Sequence, residues 1–349
     1  MMDEERWNAF LDVLKGAKAM ISLLSKLFSS RKSKSKRQPA NAFSFPNQLS
    51  LQKLEDRITP AIGSLVGSTL TIDYTATGTT AETVTATNDG TNITLTGDIT
   101  GITSFTTINI TKISITNSGT STNQTFNLDG SAGYVLQNGL GSAGVDNVNI
   151  NQSIDSSTGV NSDINVSDAT KINVNADISS GSGNITLDVD NGTSQPGSFN
   201  GVSINGPGVD ITTTTGNIQI DGRGSSGTTG SFSGILLNQF NSIKSTSTGN
   251  ISLTGFGGAT TNSGSFGPNI GLDIRGLVQG NGGTITLNGT GGTGVVDSYY
   301  GVAVFTGIQI LNSGSGTISL TGTGGNNTTN FNYGVVLRSE EHTSELQSH

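Results

Sequence analysis

Apolar residues return along this chain in short alternating runs, and from the middle onward the runs themselves return at a fixed distance. The phrase Gly-(Asn/Thr)-Ile-x-(Leu/Ile) occurs five times, with its isoleucine at Ile185, Ile218, Ile251, Ile285 and Ile318, a spacing of 33, 33, 34 and 33 residues. About sixteen residues after each phrase a glycine precedes a second apolar pair: Gly201 before Val202 and Ile204, Gly234 before Ile235 and Leu237, Gly271 before Leu272 and Ile274, Gly301 before Val302 and Val304, Gly334 before Val335 and Leu337. A weaker third set lies between them at Val209/Ile211, Ile243, Leu277/Val278 and Ile308/Ile310. Runs this short, with a period of two and bounded by Gly, Asn, Ser and Thr, are strands and not helices. Three strands per repeat make one turn of a solenoid in which each unit buries its apolar face only against its neighbours. The fold expected is all-β, a right-handed parallel β-helix of about 33 residues per coil. Ile185, Ile218, Ile251, Ile285 and Ile318 should form one interior column.

The loop after the first strand of each repeat is rich in turn residues and ends on an aromatic: Phe199, Phe232, Phe266 and Tyr299, spaced 33, 34 and 33. Stacked coils would set these rings about 4.8 Å apart along one edge. Such a ladder either covers the end of the core at a corner or offers a platform for sugar rings. Gly267 to Ile270 lengthen one of these loops, so insertions fall in loops while strands keep their spacing.

Upstream, residues 62–135 alternate well, as in Leu70/Ile72, Ile93/Leu95, Ile113/Ile115 and Phe126/Leu128, without the 33-residue phase. A solenoid needs an atypical terminal unit to close its exposed edge. This segment is therefore expected to be an N-terminal cap or a set of irregular first coils, with the repeats proper over 136–337.

The first 61 residues differ in kind. Trp7, Phe10, Leu11, Leu14, Ile21, Leu24, Leu27 and Phe28 fall at helical spacing, interrupted by Lys15, Lys18 and Lys26, which predicts an amphipathic helix with no run long enough to span a bilayer. A basic stretch, Arg31 to Arg37, follows. Residues 1–60 carry eleven Lys/Arg against six Asp/Glu, whereas residues 61–337 carry five against sixteen. A repeat body that acidic has no electrostatic footprint for nucleic acid. The basic segment reads as a leader that contacts membrane during export.

Candidate chemistry is sparse. The chain has no cysteine, and its two histidines, His342 and His349, lie in the last twelve residues. Residues 338–349 resemble the in-frame translation of a common sequencing-library adapter, so they are expected to be an assembly artefact, with the natural chain continuing past Leu337. Without them no imidazole or thiol remains for nucleophilic catalysis or zinc. Asp188-Val189-Asp190-Asn191-Gly192 has its glycine one residue early for an EF-hand loop and lacks the closing glutamate. Between Ala61 and Leu337 the single glutamate is Glu82. Asp273 and Arg275 flank Ile274 and could share its outward face, but glycoside cleavage needs a carboxylate pair. No cofactor, metal or catalytic residue is expected, and the segment is read as non-enzymatic.

Two resemblances add to this. Leu54-Glu55-Asp56-Arg57-Ile58-Thr59-Pro60-Ala61 resembles the Leu-Glu-(Asp/Pro)-Arg element near the N-terminus of large secreted and surface proteins of planctomycete bacteria. Leu54, Glu55, Asp56, Arg57, Pro60 and Ala61 would then be an export or processing motif. The Gly-Asn-Ile-x-Leu-x-Gly phrase resembles the coils of filamentous-haemagglutinin-like and autotransporter-type β-helices. Together they imply a protein exported to the cell surface or secreted, with a structural or adhesive role toward cell-surface polysaccharide or other surface proteins. The alternative is the N-terminal part of a carbohydrate-active β-helix enzyme, a polysaccharide lyase or glycoside hydrolase, with its catalytic coils beyond Leu337.

Overall fold

The computed structural model describes residues 60–338 apart from 78–80, 161, 190–191, 229, 262–266, 296–298, 306 and 327–330. The predicted amphipathic helix, the basic stretch and residues 339–349 lie outside the described residues.

The chain is all-β and winds as a β-helix-like solenoid of three long sheets, with eleven, eleven and seven strands. Each coil gives one strand to each sheet in turn. One complete coil is Ile185–Asp188, Val202–Ile204 and Asp210–Thr213, after which Ile218–Arg223 returns to the first sheet. The phrase isoleucines are direct parallel partners: Ile185 faces Ile218, Ile218 faces Ile251, Ile251 faces Ile285 and Ile285 faces Ile318. Val202, Ile235, Leu272, Val302 and Val335 form the matching column of the second sheet. Ile211, Ile243, Val278 and Ile310 form that of the third. Like residue thus lies on like residue, and alternation within each strand turns the apolar member inward. Burying each isoleucine contributes roughly 1.5–3 kcal/mol.

The glycine of the phrase is required by contact between rungs. A β-carbon on Gly216, Gly249, Gly283 or Gly316 would overlap the carbonyl oxygen of the glycine one coil earlier. Only a residue without a side chain lets the corner close at strand spacing.

Thirty-three residues is not the minimum for a coil. Leu140 pairs with Ile113 on one side and Ile164 on the other, and Ile164 pairs with Ile185, separations of 27, 24 and 21 residues. The solenoid therefore runs back through Lys112–Asn117 and Gln124–Gly130, within the segment whose sequence lacks the phase. Later coils are longer because each adds an excursion between the first and second sheets. These excursions stack on one another as a fourth ladder: Ser226–Gly227 pairs with Ala259–Thr260, and isolated bridges join Pro196 to Ser226, Ala259 to Thr293 and Thr293 to Asn326. Each leaves and returns through a neck of two touching backbones. A β-carbon on Gly234 would meet the Phe256 amide nitrogen, and one on Gly255 the Gly271 oxygen.

At the N-terminal end Thr69–Tyr74 and Glu82–Asn88 continue the first and second sheets in parallel. Beyond them the chain doubles back. Ala61–Val66 lies antiparallel to Thr69–Tyr74, and Asn92–Gly97 antiparallel to Glu82–Asn88. The sheets finish on three-residue strands, Ile99–Gly101 and Ser104–Thr106. Edges this short offer little backbone to a further strand. At the other end Ile318, Val335 and Leu337 are 42%, 39% and 67% exposed, because no described coil covers them. Among the described residues no helix is long and apolar enough to cross a membrane.

Candidate functional site

The interior column is sealed. Ile185, Ile218, Ile251 and Ile285 are buried, and only Ile318 on the last rung meets solvent. These positions bear on stability and give nothing for a ligand to reach.

The aromatic positions divide. Phe232 and Tyr299 are buried and Phe199 is half-buried, while Phe266 lies outside the described residues. Counting back from the neck glycine Gly271 sets Asn269 on the rung between Phe232 and Tyr299, so an amide holds that position. The Phe232 amide donates to Asn269 Oδ1 at 2.8 Å, and Asn269 Nδ2 donates to Thr260 Oγ1 and the Thr293 carbonyl, both at 3.2 Å. The Tyr299 hydroxyl lies 3.3 Å from Thr260 Oγ1. The excursions thus have a small interior of their own, with rings on some rungs and a hydrogen-bonded amide on another. Packing inside it removes Phe232 and Tyr299 as a sugar-stacking surface.

Aromatics do reach the surface one position later. Tyr300 and Tyr333 stack with ring centroids 6.0 Å apart and planes 26° apart, and Phe331 lies 6.3 Å from Tyr333. Tyr333 and Phe331 are about half exposed. Earlier coils hold Asn200, Ser233 and Ile270 at the position of Tyr300, so no repeat signal points to it.

Polar side chains also run in ladders. Asn173 donates to Asn149, Asn149 to Asn127 and Asn127 to Thr85. At the corner before the first sheet the Asn250 side chain donates to Asn217 Oδ1, and Asn217 to Asn184 Oδ1. Each amide satisfies its neighbour one rung away, which stiffens the stack and consumes groups that could otherwise hold a ligand.

Of the motif residues, Leu54, Glu55, Asp56 and Arg57 lie outside the described residues. Pro60 accepts a hydrogen bond from Thr75 Oγ1 at 3.1 Å. Ala61 is buried at the start of the first strand, its amide donating to the Asp98 carbonyl at 2.9 Å. Ala61 therefore belongs to the folded cap.

Asp273 and Arg275 do meet. The guanidinium holds the carboxylate through two bonds of 2.7 Å, Nε to Oδ1 and Nη2 to Oδ2. Asp273 is 2% exposed on the outer face of the second sheet, between Leu236 and Ala303. Burial pushes its carboxyl up, and the Arg275 bonds and charge pull it back. The guanidinium also lies over the Phe305 ring at 4.8 Å, with that of Arg338 over the same ring at 5.0 Å. This pair is committed to itself, so Asp273 is not poised as an acid or base toward a substrate.

Glu82 sits in the cap, fully enclosed, its Oε2 accepting from the Ala76 amide at 3.2 Å. Its register partner Gln124 is equally enclosed. Oε1 of both is buried without a hydrogen-bond partner. Asp188 lies in a first-sheet strand, while Asp190 and Asn191 lie outside the described residues. Among the described residues no three His, Cys, Asp or Glu side chains converge as a metal site would require.

No known protein family, curated protein or solved structure matches the chain.

Proposed function

We propose that this chain is an exported, right-handed parallel β-helix serving as a non-catalytic structural or adhesive segment of a larger bacterial surface protein. The observation that carries the reading is the fourth ladder. From Pro196 to Asn326 the excursions pair rung on rung along the solenoid axis, beside one continuous apolar core. Excursions stacked at rung spacing along one side suit many weak contacts, which combine into strong attachment when made together. The right hand follows from the strong chirality of crossovers between parallel strands. The low charge of the body, with its Lys and Arg few and scattered, suits polysaccharide or protein partners better than nucleic acid. The leader delivers the body to the outside, and because Ala61 is built into the cap, any cleavage falls before it.

The enzymatic alternative needs opposed carboxylates on one face. Asp273, one of two buried carboxylates on the second sheet among the described residues, is instead tied to Arg275, and the other, Glu82, lies in the cap.

Labelling intact cells with antibody against residues 61–337 tests the location, together with N-terminal sequencing of the mature protein. Surface signal and a start between 38 and 61 are expected. Signal only after lysis, with Met1 or Met2 retained, overturns the reading.

A further inference from the structure

In three coils the corner from the second sheet into the third turns through a left-handed backbone. Three residues before the third-sheet positions Ile211, Ile243 and Ile310 stand Gly208, Phe240 and Gly307, with φ of 72°, 68° and 75°. Two coils use glycine, the residue that adopts this conformation without strain. Between them lie a shorter corner before Val278, which needs no left-handed residue, and the coil of Ile243, which uses phenylalanine, whose β-carbon crowds its own backbone there. Nothing in the packing compensates, since the Phe240 side chain is 79% exposed. A bulky residue kept in a strained conformation with its ring in water marks a position held for something other than the fold.

The ring borders a groove of about 440 Å³ with Leu277 and Ile308 on its floor. Two exposed amides, Gln239 and Gln309, stand at the same groove. The charged groups lining it are Asp210 and Lys244, which neutralise each other at 3.2 Å. The groove thus offers one apolar ring face, two groups that both donate and accept hydrogen bonds, and no net charge. That set is complementary to a pyranose, which has an apolar C–H face and a rim of hydroxyls. An anionic ligand would gain no cation here, and the acidic body would repel it.

We propose that the Phe240 groove is a binding site for neutral carbohydrate, with a sugar ring stacked on Phe240 and its hydroxyls bonded to Gln239 and Gln309. The proposal rests on the adhesive reading and gives it a ligand class and a place.

The test uses the full chain against immobilised neutral polysaccharides (β-1,4-glucan, β-1,3-glucan, mannan and dextran), with polygalacturonate as the anionic control. The wild-type protein should bind at least one neutral polymer and prefer it to the control. Phe240→Gly should weaken binding about tenfold while raising the melting temperature, because it installs the glycine that the Gly208 and Gly307 corners use. Phe240→Trp should keep the binding, and Gln309→Ala should weaken it with the melting temperature unchanged. Undiminished binding by Phe240→Gly overturns this site but leaves the adhesive reading standing. A wild-type protein that binds no neutral polymer, or prefers the anionic one, overturns the site, while surface labelling still reports separately on the broader reading. A lower melting temperature for Phe240→Gly would show that the ring serves the fold and also overturns the proposal.

Discussion

Gly249 rests with its α-carbon against the carbonyl oxygen of Gly216, its copy one coil earlier, so closely that a methyl group there would overlap that oxygen. The obstacle is backbone, which cannot rotate away as a flexible side chain would. Gly249→Ala should therefore push two coils apart, at a cost of about 3 kcal/mol. Denaturant titration of the variant beside Gly208→Ala makes the measurement. Gly208 has open space around a β-carbon and only its positive φ to penalise substitution, so it should lose less. Equal losses would mean that rung contact is not what selects glycine at the phrase.

Ile251 lies between Ile218 and Ile285 in the sealed column. Ile251→Asp places a carboxylate where no donor or cation faces it, and several kcal/mol of stability should go. Ile318→Asp, on the exposed last rung, should cost far less. Thermal unfolding of the two variants gives the comparison, and matching melting temperatures would count against the column.

Arg275→Met leaves Asp273 buried with its charge unpaired. Because the guanidinium itself is about half exposed, the loss should be moderate, about 2–3 kcal/mol. Adding Asp273→Leu to that variant should recover most of it, since an apolar pair suits the neighbours Leu236 and Ala303. A double variant no more stable than Arg275→Met would show that the ion pair is not the relevant contact.

Burial pushes the Glu82 carboxyl up, against the opposing bond from the Ala76 amide, and the nearby Asp98 and Asp73 push it the same way. The other titratable groups around it are Tyr74 and, across Gln124, Asp146, so no cation among them offsets its charge. A carboxyl whose folded value is raised holds its proton more tightly folded than unfolded. Its contribution is full below the ordinary glutamate value of about 4.3 and is lost as pH rises from there through the raised one. The stability of the wild-type protein minus that of Glu82→Gln should fall as pH climbs from 4 toward 8. Urea titrations of both proteins across that range measure it, and a flat difference would mean that Glu82 titrates alike in both states. The Oε1 of Glu82, buried without a hydrogen-bond partner, gives the neutral form its geometric reason, since nothing there stabilises a charge.

Local alternation and the return of Gly-Asn-Ile are properties of short stretches, so the chain alone specifies strands at Ile185, Ile218, Ile251, Ile285 and Ile318, a glycine at each corner, and a stacked β architecture. The same local reading cannot say which residue lies one rung away, because that depends on how many residues the intervening loop consumes. Coils of 21 to 27 residues before Ile185 stack in the same sheets as those of 33, yet their changing length erases the phase that periodicity detects. The rung two residues before Gly271 belongs to Asn269, whose amide closes the bonds there, a polar rung that the aromatic spacing alone does not announce. Exposure is likewise a tertiary outcome. Phe232 and Tyr299 are enclosed by stacked excursions, Tyr333 sits half in water, and Phe240 stands almost wholly exposed at a left-handed turn that the corners at Gly208 and Gly307 give to glycine. An aromatic letter does not say on which side of the backbone its ring falls, and only the closed coil decides it.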